Sequence, residues 1–226
     1  MHKYFSFTFY RFLPSWRALP VAARRAAIAE LVGVLTAFKE TVDVRWYSTV
    51  GLKRDCEFGT WAVATSPEAL NDLGAALVNT AAWAHLVTPH QFLSLTKPSP
   101  YANTAEDKTP TPVGDKPWLF VYPFVKTKAW YQQPGEERGK MMREHIALGQ
   151  SFPTIRINTS YSFGIDDQEF VVIFEGEDLV EFVKLVEKLR SSRATFYTER
   201  DTPMFTCRKM AAAAVLEQVS FARPVG

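Results

Sequence analysis

Cysteine, histidine and glycine are scarce in this 226-residue chain, which has two Cys, four His and 11 Gly. Cys56 and Cys207 alone build neither a disulfide framework nor a four-ligand zinc site, and they read as buried thiols of a reducing compartment. No pair among His2, His85, His90 and His145 stands at metal-ligand spacing. HExxH, GxSxG, the P-loop and the dinucleotide fingerprint are all missing, which argues against the zinc proteases, serine hydrolases and nucleotide enzymes built on them. Long apolar runs are missing too. The longest, residues 26–29 and 211–216, fall far short of the ~20 residues of a membrane span. The N-terminal MHKYFSFTFYRF lacks the continuous apolar stretch of a signal peptide. Charge of one sign is also lacking. The 26 basic and 24 acidic residues leave a formal +2, so nothing points to nucleic acid as a partner. The expectation is a cytoplasmic protein with no membrane span.

What is present is apolar and aromatic. Hydrophobic residues make up 47% and charged residues 22%, the balance of a globular protein rather than a disordered or rod-like one. The 17 Phe, 8 Tyr and 6 Trp suit large flat cores or a pocket for a large apolar ligand.

Periodicity organises the chain. Residues 4–12 (YFSFTFYRF) alternate as a strand, and 17–39 carry apolar residues at helical spacing: Ala27, Ile28, Leu31, Val32, Leu35 and Phe38. Residues 42–50 and 57–64 read as a hairpin. Ser66 and Pro67 start a helix that runs to about residue 85, and a strand follows at 91–96. Residues 98–116, with five of their positions Pro or Gly, read as a linker. A second pass then repeats the plan. Strand 118–125 is interrupted by Pro123, which predicts an edge or a bulge. Helix 134–147, strands 155–163 and 169–174, helix 178–192 and a strand opening at 194–197 follow. The pattern predicts an α+β protein of tandem ferredoxin-like βαββαβ repeats, two antiparallel sheets with helices on one face each. The halves are 1–97 and 117–226, with 98–116 between them. The Ala-rich tail after residue 208 suits a short extra helix.

Few residues carry chemistry on their own. His145 lies in KMMREHIALGQ, read as the last turn of a helix ended by Gly149. It is either a helix-end histidine meeting the dipole or an axial ligand to haem iron beside Met141 and Met142. Tyr122, Phe124, Lys126, Trp130 and Tyr131 are either core aromatics with a solvated lysine or a redox-active tyrosine beside a carboxylate-holding cation. His85 and His90 read as structural.

The spacing of Tyr122-Pro-Phe-Val-Lys126, Trp130-Tyr131, Pro134-Gly-Glu-Glu-Arg138, Lys140-Met-Met-Arg-Glu-His145 and Gly164-Ile-Asp-Asp167 resembles the chlorite dismutase superfamily. The Tyr-Pro pair resembles its coproheme decarboxylase branch most. That resemblance implies His145 as the proximal iron ligand and Tyr122 as the tyrosine that becomes a radical. It implies Lys126 as the base meeting a propionate and Trp130 as the aromatic after that loop. Tyr101 and Asn103 fall near a propionate contact. The implied reaction is hydrogen peroxide-dependent oxidative decarboxylation of iron-coproporphyrin III to haem b by a homo-oligomer, a pentamer in many relatives. Three positions depart from the family. Ala105 and Ile157 stand where the distal His, or the distal Gln or Arg, is expected, and Arg193 stands where a Glu accepts from the proximal His. A haem-binding member without decarboxylase activity, and a peroxidase or chlorite-degrading enzyme served by Arg156, are the alternatives.

Overall fold

The computed structural model describes residues 2–101 and 113–221. Two compact units emerge, one holding the chain up to Leu93 together with Cys207 onward, the other Ser94–Thr206. The tail that the sequence reading attaches to the second half therefore belongs to the first unit.

In the first unit the elements are β1 (Tyr4–Phe12), α1 (Pro14–Ala18), α2 (Val21–Ala37), β2 (Val42–Ser48), β3 (Phe58–Ala64), α3 (Pro67–Val78) and β4 (Leu86–Leu95). In the second they are β5 (Trp118–Lys126), α4 (Lys128–Gln132), α5 (Gly135–Gln150), β6 (Arg156–Tyr161), β7 (Phe170–Gly176), α6 (Leu179–Arg190) and β8 (Thr198–Arg200). Strand β9 (Phe205–Lys209) and helix α7 (Ala212–Ser220) return the chain to the first unit. Strands of the first unit lie in the order β4-β1-β3-β2, with β9 beside β2. Those of the second lie in the order β6-β7-β5-β8, with antiparallel pairing throughout. Numbered within its own half, each sheet has strand order 4-1-3-2, the ferredoxin-like arrangement that the sequence pattern predicts.

Several boundaries move for local reasons. The helix expected over 17–39 breaks into α1 and α2 at Pro20, which has no N–H to donate and forces Leu19 out of helical geometry. The helix expected to reach residue 85 ends at Val78. There Asn79 Nδ2 donates to the Ala75 carbonyl at 2.7 Å and Thr80 Oγ1 to that of Leu77 at 2.7 Å, so polar side chains take over the last carbonyls. The strand expected to open at 194–197 is a 3-10 turn, Arg193–Tyr197. Gly149 does not end α5, which continues to Gln150. A Cβ there would come within 2.9 Å of Ile157 Cδ1, so this glycine lets the helix lie close on β6.

Helices cover one face of each sheet. In the first unit Tyr10, Phe12, Trp46 and Phe58 meet Trp16, Ala27 and Leu31. Helix α7 completes that core with Val215, Leu216 and Val219, and Ser220 Oγ accepts from Trp16 Nε1 at 3.2 Å. The opposite face is buried and aromatic too: Phe7 stacks on Trp61 at 5.1 Å, and Phe9 lies directly across from Gly59. In the second unit Phe120, Tyr122 and Phe174 face Leu185 and Leu189 of α6.

A Cβ at Gly59 would stand 2.8 Å from Cδ1 of Phe9 and 3.3 Å from the Thr8 carbonyl, one of them a packed ring and the other backbone. Gly59→Ala should cost about 1–3 kcal/mol by overpacking. Thermal melts check this, and an unchanged melting temperature contradicts the packing described.

Candidate functional site

The second unit contains a cavity of about 820 Å³ between the helix-facing side of its sheet and helices α5 and α6. Strand alternation builds its floor. Tyr122 and Phe124 of β5, Ile157, Thr159 and Tyr161 of β6, and Phe170, Val172 and Phe174 of β7 all point to the same side. From α5 come Arg138, Met142, His145 and Ile146, an i, i+4, i+7, i+8 stripe on one helical face. Such a volume is within the usual range for a ligand pocket, and most of its wall is apolar.

Five of the six residues singled out in the sequence line this one cavity: Tyr101, Tyr122, Lys126, Trp130 and His145. The sixth, Asn103, lies outside the described residues, as does Ala105. His85 and His90 do not line it. His85 Nδ1 meets Ser15 Oγ at 2.9 Å, and His90 Nε2 meets Asp55 Oδ2 at 2.7 Å.

His145 is set on α5, with Nδ1 2.9 Å from Ser192 Oγ. Burial first, then the neighbouring Lys126 charge, pull its pKa down to about 4, with Glu144 opposing. The ring is neutral at ordinary pH, the state a metal needs. Arg193, where the family resemblance places an acceptor for this histidine, is turned to Glu144 instead, with Nε 2.8 Å from Oε2. The sequence reading missed Ser192, one position earlier.

Lys126 reaches the cavity through a bulge. Strand β5 shifts register against β8 between Val125 and Lys126, the irregularity predicted from Pro123, although Pro123 itself still pairs with Val171. The Lys126 side chain is buried. Its ammonium donates to the Ala194 carbonyl at 2.7 Å and lies 4.7 Å from the centre of the Trp130 ring. No carboxylate of the described residues forms an ion pair with it. Burial lowers its pKa to about 8, and Glu169 opposes this. Tyr122 is buried on the same wall. Loss of solvent, then the Asp201 charge, raise its pKa, so the phenol keeps its proton. Tyr131 donates to Glu169 Oε2 at 2.6 Å, and the Lys126 backbone N–H donates to the same oxygen at 2.8 Å.

The donor set suits a broad, flat, apolar ligand carrying a metal and carboxylates. His145 Nε2 has no hydrogen bond among the described residues and is a nitrogen of the kind that can hold a metal, and aromatic and aliphatic walls suit a macrocycle. Lys126 is a buried cation with no carboxylate partner among the described residues. Arg138, also on the wall, has a buried Nε with no hydrogen-bond partner among the described residues. Iron porphyrin fits these features.

Comparison with known proteins gives the family. The family model described as Chlorite dismutase matches residues 24–210. The chain belongs to the chlorite dismutase family. It is 31% identical over 166 residues, 71% of this chain and 70% of the relative, to a coproheme decarboxylase from Mycolicibacterium smegmatis (strain ATCC 700084 / mc(2)155). In fold it is similar to a point mutant of chlorite dismutase from Candidatus Nitrospira defluvii, with TM-score 0.90, 22% identity, and 97% and 96% of the two chains covered. The chlorite dismutase of that organism in complex with imidazole is similar as well, with TM-score 0.88, 22% identity, and 97% and 95% covered.

Ile157 lines the cavity where the family resemblance places a Gln or Arg. Arg156, the alternative supplier of a distal charge, does not line it. Its guanidinium binds Asp115 at 2.7 Å and approaches Glu175 at 3.4 Å, on the opposite face of β6 from Ile157. Alternation puts only one of two adjacent strand residues on a given face.

Lys126 generates a pH test. Between about 8 and its ordinary 10.5 the unfolded chain holds a proton that the folded chain does not. Stability contributed by this group therefore rises with pH across that window, and the cost of the buried charge is present in full below it. Melting temperatures of wild type and Lys126→Met should change relative to each other in favour of wild type as pH rises from 8 to 10.5. A constant gap contradicts the burial of a titrating ammonium.

Proposed function

We propose that the protein is a peroxide-dependent oxidative decarboxylase that converts iron-coproporphyrin III to haem b. The observation that carries the reading is the convergence, on one apolar cavity, of an imidazole nitrogen and an ammonium that have no carboxylate partner among the described residues and of a buried phenol. The likeness to a named coproheme decarboxylase supports it.

Each propionate that becomes a vinyl group loses carbon dioxide, a proton and two electrons, and one hydrogen peroxide accepts the electrons and ends as two waters. When bound, the iron porphyrin supplies the oxidising equivalents that it draws from peroxide. The chain's residues do the rest. His145 holds the iron through Nε2. Lys126 holds the reacting carboxylate by charge, and an ammonium beside a carboxylate fixes position as well as energy. Tyr101, Trp130 and Asn103 are assigned to the porphyrin periphery. Tyr122 would carry the electron hole and take a hydrogen atom from the propionate β-carbon, and the carbon radical left behind would return its second electron to the oxidised porphyrin as carbon dioxide leaves and the vinyl group forms. Its raised pKa suits this role, because the phenol stays protonated until it is oxidised. The apolar wall excludes water that would quench the radical. A homo-oligomer in the cytoplasm belongs to the same reading, and two buried free thiols are in keeping with a reducing compartment.

A second reading has a specific observation behind it. With Ile157 on the cavity wall and Arg156 turned away, no Gln or Arg side chain from this stretch of β6 is in place to polarise peroxide. A porphyrin-binding member without decarboxylation would look the same on this side.

Purified protein with ferric coproporphyrin III, titrated with peroxide and followed by mass spectrometry, separates the two. The proposal expects stepwise loss of two carbon dioxides. His145→Ala should abolish the Soret shift on porphyrin addition. Tyr122→Phe should bind porphyrin with nearly wild-type affinity, since at most one neutral hydrogen bond worth about 1 kcal/mol is at stake, yet stop decarboxylation. Lys126→Ala should slow it less. Binding without any product from wild type would establish the second reading, and full activity in Tyr122→Phe would move the hole to another side chain.

A further inference from the structure

His145 offers two ring nitrogens, and only the one without a hydrogen can bind a metal. A neutral imidazole carries a single N–H, so whatever decides its position decides the ligand atom. Behind the ring stand two hydroxyls and a carbonyl. Thr195 Oγ1 donates to the Leu189 carbonyl at 3.0 Å. The same carbonyl also accepts the Ser192 N–H at 3.1 Å. Ser192 Oγ lies 3.2 Å from Thr195 Oγ1 and 2.9 Å from His145 Nδ1.

Once the Thr195 hydrogen is on the Leu189 carbonyl, the direction of every other bond in this chain follows. A carbonyl oxygen can only accept, and a hydroxyl has one hydrogen. Thr195 spends its hydrogen on Leu189, so towards Ser192 it can only accept. Ser192 then spends its hydrogen on Thr195, so towards His145 it can only accept. In that arrangement Nδ1 is the donor, and the lone pair is left on Nε2. Ser192 is fully buried, so solvent does not compete for its hydroxyl.

Leu189 is in the last turn of α6, where helix carbonyls lack helical partners, and that is why one is free to end the relay. The 3-10 turn that carries Thr195 is itself pinned: Lys126 Nζ donates to Ala194, the Thr127 N–H donates to the Tyr197 carbonyl at 2.9 Å, and Arg193 pairs with Glu144.

We propose that the Leu189 carbonyl, Thr195 and Ser192 form a one-way hydroxyl relay that presets His145 as the Nδ1–H tautomer, with Ser192 and Thr195 acting as positioning residues for an Nε2–iron bond. The purpose of the relay rests on the porphyrin reading above, while the tautomer itself does not. The relay also fixes the character of the bond. A hydroxyl acceptor is uncharged and draws on the Nδ1 proton less than a carboxylate does, so His145 binds as an imidazole with little imidazolate character.

The test begins without porphyrin. Protein labelled with 15N at histidine is read by long-range 15N–1H correlation, with the His145 signals assigned from their loss in His145→Gln. Wild type should show Nδ1–H. In Thr195→Val, Ser192 loses its acceptor and turns its hydrogen to Nδ1, so the Nε2–H form should grow several-fold. Thr195→Ser restores the acceptor and should restore the wild-type pattern. Ser192→Ala removes the relay from the other side and should mix the tautomers. Ferric coproporphyrin III affinity, read from the Soret titration, should fall about 10-fold or more in Thr195→Val and recover in Thr195→Ser. A wild-type ring in the Nε2–H form, or a Thr195→Val protein with wild-type tautomer and affinity, overturns the relay. A wild type with the Nδ1–H tautomer but no porphyrin binding supports the relay and overturns the functional reading instead.

Discussion

Burying the Lys126 ammonium against the Ala194 carbonyl is the constraint on which the site depends. A charge taken out of water is costly unless it is paired or hydrogen-bonded. Here one carbonyl and the Trp130 ring receive it, and the rest of its demand faces the cavity. The bond has a mechanical effect as well. It holds the turn after α6, and that turn carries Ser192 and Thr195 to the back of His145. Strand β5, helix α5 and helix α6 are tied to the same short segment by Lys126, Glu144 and Leu189 respectively. A shift of that segment would move the imidazole and the ammonium together.

The cavity itself follows from sheet alternation. Every second residue of β5, β6 and β7 faces the helices, and those that floor the cavity are, apart from Thr159, large aromatic or aliphatic side chains. Helices α5 and α6 lie over them, and Gly149 lets α5 approach Ile157. The same alternation that points Ile157 inward points Arg156 outward to Asp115. One rule thus accounts for the apolar wall and for the lack of an arginine from this position.

Much of this is legible in the residues. Alternating YFSFTFYRF and WLFVYPFVK become β1 and β5, Ser66-Pro67 caps and starts α3, and Asp178 caps α6 with its carboxylate on the Val180 N–H at 2.9 Å. These are local signals, and local chemistry settles them. Others needed the third dimension. The face taken by Arg156 depends on register, which a single strand does not reveal. Gly149 resembles a helix stop in the sequence and is a close approach in the fold. Residues 193–197 have strand-like composition but are drawn into a turn by bonds to Lys126, Thr127 and Glu144. Ser192 escaped notice because a serine at a helix end is ordinary, and only its distance to Nδ1 gives it a role. The Ala-rich stretch forms α7, and its apolar side fills the first unit's core.

The central claim is that this cavity binds an iron porphyrin through His145 with its carboxylates directed at Lys126. A crystal structure of the protein loaded with ferric coproporphyrin III tests it most directly. The account predicts iron bonded to His145 Nε2, Nδ1 still on Ser192, and one propionate against the Lys126 ammonium beside Tyr122. Iron held by any other side chain, or porphyrin seated outside this cavity, would contradict it.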